Sequence, residues 1–167
     1  MFGSISGLDI PAGESNYELK SKFTTPVDID LIGVGAHMHY IGHTAKAQAK
    51  LPDGTVKSLF YIDDWDFNWQ GRYTYKQPIR LPAGTSVEGT VSFDNSATNP
   101  HNQFNPPRRV RWGLESTDEM ATLSLTLVAD LPEERPVLGW AMANRDVERS
   151  PEDPGAWVNL AVAVRAC

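Results

Sequence analysis

Hydrophobic and polar positions alternate along most of the first 130 residues, in short runs separated by Gly, Pro, Asn and Asp. Alternation with a period of two is typical of half-buried β-strands, and the separating residues are those that turns favour. Many short strands with such turns predict an all-β fold, an antiparallel jelly-roll β-sandwich. The runs lie at residues 17–23, 27–34, 43–51, 56–62, 73–81, 86–93, 109–113 and 120–128.

The run at residues 43–51 is compatible with two kinds of secondary structure. Ala45, Ala47 and Ala49 alternate with polar residues, which favours a strand with one tightly packed face. Alanine is nevertheless a better helix former than strand former, so a helix is the alternative.

The strand pattern stops at Pro132, and residues 137–142 have a locally helical pattern. Residues 150–154 offer helix-start signals, and apolar residues then follow at helical spacing: Trp157, Leu160, Ala161 and Val164. We therefore predict a β-sandwich over residues 1–131 and a short C-terminal helical tail over residues 132–167. Residues 153–161 resemble the opening of a tetratricopeptide-repeat helix, so one interpretation of the tail is the truncated start of a repeat domain.

Composition narrows the classes of function. The 167 residues are enough for one domain plus at most a small appendage. A net charge of -6, a pI of about 5.1 and the lack of a Lys/Arg cluster argue against nucleic-acid binding. No apolar run has the length of a membrane span. Residues 1–6 lack the features of a signal peptide, so we expect either a cytoplasmic protein or a chain cut from a longer precursor.

The candidate chemistry is concentrated in residues 36–43, which hold three of the four histidines. On a strand, His37, His39 and His43 would share one face, with Met38 and Tyr40 on the other. Two imidazoles at positions i and i+2 can direct their nitrogens at one point, which is a metal-site geometry.

The only cysteine is Cys167, so a thiolate cage is excluded and a metal would have to be held by His, Met or carboxylates. Cu(I) is a soft cation that favours imidazole together with a thioether. Met120, which begins an alternating run about eighty residues downstream, is the methionine whose position suits such a site.

The residues themselves leave alternatives open. Spacing alone favours a core role for Met120 over a ligand role. For His37 and His39, the sequence alone is equally compatible with a metal-binding pair and with roles that involve no metal. We expect His43 to lie on the surface, and His101, in the polar loop at residues 94–107, to be solvated. Residues 65–69 are interpreted as a packed strand and turn in preference to a substrate contact.

Five motifs in one order resemble the C-terminal domain of the copper type II ascorbate-dependent monooxygenases, and their bacterial members most of all. This family includes peptidylglycine α-hydroxylating monooxygenase and dopamine β-monooxygenase. The resemblance covers roughly residues 8–129. The motifs are HMHYIG (37–42), WDFNWQ (65–70), LPAGT (81–85), DNS (94–96) with NP (99–100), and TDEM (117–120).

The resemblance implies a jelly-roll domain that carries one copper ion, with His37, His39 and Met120 as ligands. It implies O₂ activation at that copper, ascorbate as the reductant and hydroxylation of a substrate C–H bond. It also implies a periplasmic or secreted protein. The animal enzymes need a second copper domain with a His-His pair, which this chain lacks, so we expect it to be incomplete by itself.

Two other functions are compatible with the sequence. The chain could be a non-catalytic copper-binding or delivery module that has kept the fold, and the lone domain and repeat-like tail favour this alternative. It could also be a purely structural sandwich whose histidines bind nothing.

Overall fold

The computed structural model describes residues 8–166, in which nine strands are followed by two α-helices. The strands fall on the alternating runs of the sequence, apart from a two-residue strand at Asp9–Ile10, and the hairpin turn at residues 51–55 contains Pro, Asp and Gly. The strands are β1 (Asp9–Ile10), β2 (Tyr17–Thr24), β3 (Ile29–Met38), β4 (Gly42–Lys50), β5 (Val56–Ile62), β6 (Arg72–Leu81), β7 (Ser86–Phe93), β8 (Val110–Arg111) and β9 (Ala121–Ala129). A 3₁₀ turn at Pro132–Glu134 precedes α1 (Arg135–Arg149) and α2 (Pro154–Ala166).

Two antiparallel sheets form the body of the molecule. One has the strand order β2-β7-β4-β5, the other has the order β6-β3-β9, and β1 and β8 form a separate pair. Side chains from both sheets meet in one buried cluster, so the sheets pack face to face as a sandwich. The predicted all-β sandwich is therefore confirmed, while its finer description as a jelly roll stays a prediction.

The predicted strand at residues 43–51 is confirmed as β4. Ala45, Ala47 and Ala49 are fully buried between the sheets, whereas Lys46 and Lys50 are exposed. Alternating burial decides the local structure here, because packing of one face outweighs the helix preference of alanine.

A β-bulge in β3 determines which of its side chains reach the surface. The register of β3 with both neighbouring strands shifts between Leu31 and Gly33. Before the bulge, Leu31 is buried in the core, and after it Val34 and Met38 are buried. The extra residue therefore moves the inward face from odd to even positions. His37 consequently lies on the outer face of the sheet and Met38 on the inner face. This agrees with the prediction that the two side chains lie on opposite faces of a strand.

The helical tail predicted from Pro132 onward is confirmed, and α1 packs against the sandwich. Leu138 belongs to the buried cluster between the sheets. The guanidinium of Arg145 lies 5.6 Å from the ring centre of Phe23, and Arg149 donates a hydrogen bond of 2.8 Å to Ser21. α2 contacts α1. The division into two domains and the repeat-like origin of the tail stay predictions.

Within residues 8–166, neither helix has the length and apolarity that crossing a membrane would require.

Arg80 on β6 joins the ends of three chain segments through two aspartates. Its guanidinium donates to both carboxylate oxygens of Asp130, at 2.9 and 2.8 Å, and to Asp28 at 2.9 Å. Asp130 follows β9 and Asp28 precedes β3. Hydrogen bonding from Arg80 lowers the pKa of Asp130 below its ordinary value of 3.8.

We predict that Arg80→Gln returns the pKa of Asp130 toward 3.8. Because the folded-state pKa is lowered, the contribution of this pair to stability is present above the ordinary pKa and is lost as pH falls through the lowered value. An NMR titration of the Asp130 carboxyl carbon measures the shift. Lys76→Gln, on the same strand and exposed, is the control that should leave the titration unchanged. An Asp130 titration that is the same with and without Arg80 would contradict the assignment.

Candidate metal centre

The pairing of β3 with β9 brings the predicted ligands to one end of the three-stranded sheet. His37 lies on β3 opposite Thr122 of β9. His39 comes one residue after the end of β3, and Met120 comes one residue before the start of β9. Because the strands are antiparallel, the end of one meets the beginning of the other. Residues eighty positions apart in the chain are thus neighbours in space.

The three predicted residues lie close together. Nε2 of His37 is 3.1 Å from Sδ of Met120, and the ring centres of His37 and His39 are 5.3 Å apart, with an angle of 82° between the rings. Two imidazoles and one thioether therefore lie together at the end of β3, with His37 between the other two.

The neighbouring Gln70 determines which ring nitrogen of neutral His37 carries the proton. The Nε2 amide of Gln70 donates to the carbonyl of Phe67 at 2.7 Å, which fixes the orientation of the side-chain amide. Its Oε1 then accepts from Nδ1 of His37 at 2.6 Å. In neutral imidazole only one ring nitrogen carries a proton, so Nε2 of His37 has a free lone pair. That lone pair faces the lone pairs of Met120 sulfur.

His39 has the same tautomer for a similar reason. Its Nδ1 is 3.2 Å from the carbonyl oxygen of Asp118, which can only accept, so Nδ1 carries the proton and Nε2 is left with a lone pair. His39 is buried. Burial lowers its pKa, although the hydrogen bond to the backbone carbonyl of Asp118 acts in the opposite direction. The side chain is therefore favoured in the neutral form that a metal ligand needs.

Glu119 holds the backbone on both sides of the site. Its side chain is completely buried, and its Oε1 accepts from the backbone N–H of His39 at 2.5 Å and of Met120 at 2.9 Å. Burial raises the pKa of Glu119 to about 7, although hydrogen bonds from these amides act in the opposite direction. One carboxylate thus ties the end of β3 to the start of β9.

Residues 65–70 pack over the histidines as a loop. The predicted turn is present at residues 67–68, but the strand predicted within residues 65–69 is wrong. Trp65 is buried and its Nε1 donates to the backbone carbonyl of His39 at 3.2 Å. The Phe67 ring stands edge-on to His39, with ring centres 5.9 Å apart, and packs on Tyr40 at 4.5 Å. In the sequence, the high density of aromatic residues in this segment indicates that it packs against something. It does not indicate that the histidines are what it covers.

Gly42 is required where this loop meets the histidine turn. A Cβ atom there would lie 2.8 Å from Cβ of Met38 and 2.9 Å from Cδ1 of Trp65, both closer than real contacts allow. The absence of a side chain lets Trp65 reach the backbone of His39.

The other two histidines are exposed, as the sequence predicts. His43 lies on β4 beyond a turn, and not on the strand of the other two. The prediction that His43 shares one strand face with His37 and His39 is therefore wrong, because the chain turns between them. His101 is exposed in the polar loop.

In the described part of the chain, no group of three or more His, Cys, Asp or Glu side chains is placed to hold a metal. The convergence at the end of β3 is of another type, because its third donor is a methionine. Its donor set, two imidazoles and one thioether without a negative charge, suits a soft monovalent cation such as Cu(I).

Comparison of the sequence with known proteins identifies no relative: no protein-family model and no curated protein matches it.

We predict that Glu119→Ala destabilises the fold strongly, because it leaves the buried N–H of His39 and the partly buried N–H of Met120 without acceptors. Each unpaired group costs about 1–3 kcal/mol. Glu119→Gln keeps an acceptor oxygen and should lose much less. Urea unfolding at neutral pH measures the difference, with Glu115→Ala, at an exposed position in the same loop, as the control. Equal stability of the Ala variant and the parent would show that the two amides find other partners.

Proposed function

We propose that the chain is the oxygen-activating copper domain of a copper type II ascorbate-dependent monooxygenase. In this proposal one copper ion is held by Nε2 of His37, Nε2 of His39 and Sδ of Met120. The observation that carries it is the 3.1 Å approach of His37 Nε2 to the thioether sulfur. In neutral His37 the proton is on Nδ1, which donates to Oε1 of Gln70. Neither Nε2 of His37 nor Sδ of Met120 then has a proton to donate, so their lone pairs repel unless a cation lies near both.

The surrounding residues fit the same role. Gln70 accepts a hydrogen bond from Nδ1 of His37, and the carbonyl of Asp118 accepts one from Nδ1 of His39. Both Nε2 lone pairs therefore stay available. Such outer partners orient metal-binding histidines and raise their affinity. Phe67 covers one side of His39, whereas His37 remains partly exposed, so a substrate would approach from the side of His37.

When bound, copper would supply the O₂ and one-electron chemistry of the reaction. The overall reaction is balanced as R–H + O₂ + 2e⁻ + 2H⁺ → R–OH + H₂O, and ascorbate, the reductant implied by the resemblance, supplies the two electrons. The family uses a second copper for electron transfer. Beyond His37 and His39, this chain has only two histidines, and we propose that a second copper domain provides that centre. A periplasmic or secreted location belongs to the same proposal.

The alternative is a non-catalytic copper-binding or delivery module. The observation that favours it is the exposure of both remaining histidines, which leaves the described residues without a second imidazole cluster for electron transfer. Both functions require the same copper site and differ in whether a substrate is oxidised.

We predict that the purified chain binds one Cu(I), and that Met120→Ala weakens the binding at least as much as loss of an outer partner does, roughly 10–100-fold. Competition with a chromogenic Cu(I) chelator under reducing conditions measures the affinity. Met142→Ala, the same change in the helical tail, is the control. The double variant His37→Ala, His39→Ala should abolish tight binding. Copper held equally tightly by all variants would refute the site.

A second prediction separates the two functions. If the chain belongs to a monooxygenase, ascorbate-dependent O₂ consumption by copper-loaded protein will rise when an oxidisable substrate is added, and will fall in Met120→Ala. A delivery module will instead release Cu(I) to an acceptor protein without substrate-dependent O₂ consumption. An oxygen electrode measures the first and chelator-monitored transfer the second.

A further inference from the structure

The outer face of the sheet β6-β3-β9 carries a groove of about 310 Å³. Residues from all three strands line it, and we use the name "sheet groove" for the part formed by Gly33, Arg72, Thr74, Ser124 and Thr126. In the sheet register, Gly33 lies between Thr74 and Thr126, and the next outward position, Gly35, lies between Arg72 and Ser124. The next outward position on β3 is His37. The sheet groove therefore leads along one strand to the candidate copper site.

The floor of the sheet groove consists of backbone. Gly33, which lines the groove, and Gly35, the next outward position, are both buried and have no side chains to fill the space above the sheet. A Cβ atom on Gly33 would lie 3.0 Å from the carbonyl oxygen of Tyr73, and one on Gly35 would lie 3.2 Å from that of Gly71. Neighbouring strands in a sheet are about 4.8 Å apart, so the two rows of flanking side chains are separated by roughly twice that distance. This width suits a narrow, elongated molecule.

The walls are polar and carry one positive charge. Hydroxyl groups stand on both sides of the glycines, at Thr74 and at Ser124 and Thr126, and Ser124 donates to the carbonyl of Gly35 at 3.2 Å. The Cγ of Arg72 lies 3.5 Å from the position that a Cβ of Gly35 would take, so its stem leans over the floor.

Arg72 differs from the other arginine of its strand in having no anionic partner. Arg80 binds two aspartates at 2.8–2.9 Å, whereas the guanidinium of Arg72 makes no hydrogen bond or ion pair with any residue among 8–166. Its guanidinium is exposed at the groove and has all its donors available. The planar arrangement of those donors matches a carboxylate or a phosphate.

We propose that the sheet groove binds an elongated organic anion, with the anionic group on Arg72 and the rest of the molecule lying over Gly33 between the threonines. The anionic end is then the end nearer His37, because Arg72 flanks Gly35 while Thr74 flanks Gly33. This inference rests on the proposed function, since it names the substrate class of the same copper site. Carboxylate and phosphate share the required chemistry, and the experiment distinguishes them.

Binding is tested on copper-free, full-length protein by NMR titration of backbone amides. The probes are hexanoate, hexyl phosphate and, as a cation with a similar alkyl chain, hexylamine. We expect saturable, millimolar binding of one or both anions, with the largest shifts at Gly33, Gly35 and Arg72, and no saturable binding of hexylamine. The anion that binds more tightly identifies the preferred headgroup. Equal binding of hexylamine, or shifts confined to another surface, would overturn the proposal.

Three variants sharpen the test. Arg72→Gln should weaken the anion at least about tenfold, as expected for loss of a charge-assisted hydrogen bond, while Lys76→Gln on the same strand should leave it unchanged. Thr126→Phe would lie over Gly33, an arrangement that sheets tolerate well, and should block binding in a folded protein. Unchanged binding in Arg72→Gln would overturn the assignment.

The copper measurement separates the two proposals. Copper binding without anion binding would refute the sheet groove and leave the copper site intact. Anion binding at Arg72 without copper binding would establish the groove and refute the proposed monooxygenase function.

Discussion

The arrangement at the end of β3 depends on one buried carboxylate. Glu119 accepts hydrogen bonds from the backbone of His39 and of Met120, and Trp65 donates to the carbonyl of His39. These bonds occupy backbone groups at the point where two strands end and the sheet's own ladder no longer pairs them. Burying a carboxylate costs free energy, as the raised pKa of Glu119 shows. The two hydrogen bonds that Glu119 accepts offset that cost. The position of the thioether relative to the imidazoles follows from this connection.

The bulge in β3 provides the second constraint, because it sets what the outer face of the sheet carries. Without the extra residue between Leu31 and Gly33, continued alternation from Leu31 would turn His37 toward the core and Met38 toward solvent. With it, Gly33, Gly35 and His37 follow one another on the outer face. One local irregularity thus aligns the sheet groove with the candidate copper ligands, which agrees with the general tendency of bulges to lie beside functional sites.

Much of this architecture could be predicted from the sequence because burial alternates with the side-chain period of a strand. The strands, the change to helices at Pro132 and the placement of His37 and Met38 on opposite faces of a strand all follow from that periodicity. The bulge could not be predicted, since an inserted residue leaves the pattern on each side intact. The loop at residues 65–70 and the role of Glu119 were also missed. Both depend on which side chains meet in space across 26 to 80 residues of chain, and periodicity contains no information about such contacts.

The candidate metal site exists only in the folded sandwich. His37 and His39 remain neighbours in an unfolded chain, but Met120 reaches them only through the pairing of β3 with β9, and Gln70 fixes the tautomer of His37 from a third segment. Closing so long a loop has an entropic cost that folding has already met before a metal arrives. A cation that binds these donors therefore binds the native state preferentially and stabilises it by mass action. Conversely, the facing lone pairs of His37 and Met120 oppose folding slightly in the metal-free protein. A cation relieves that repulsion and binds these three donors only in the folded chain. Metal affinity and the free energy of unfolding therefore both depend on how closely the fold brings His37, His39 and Met120 together.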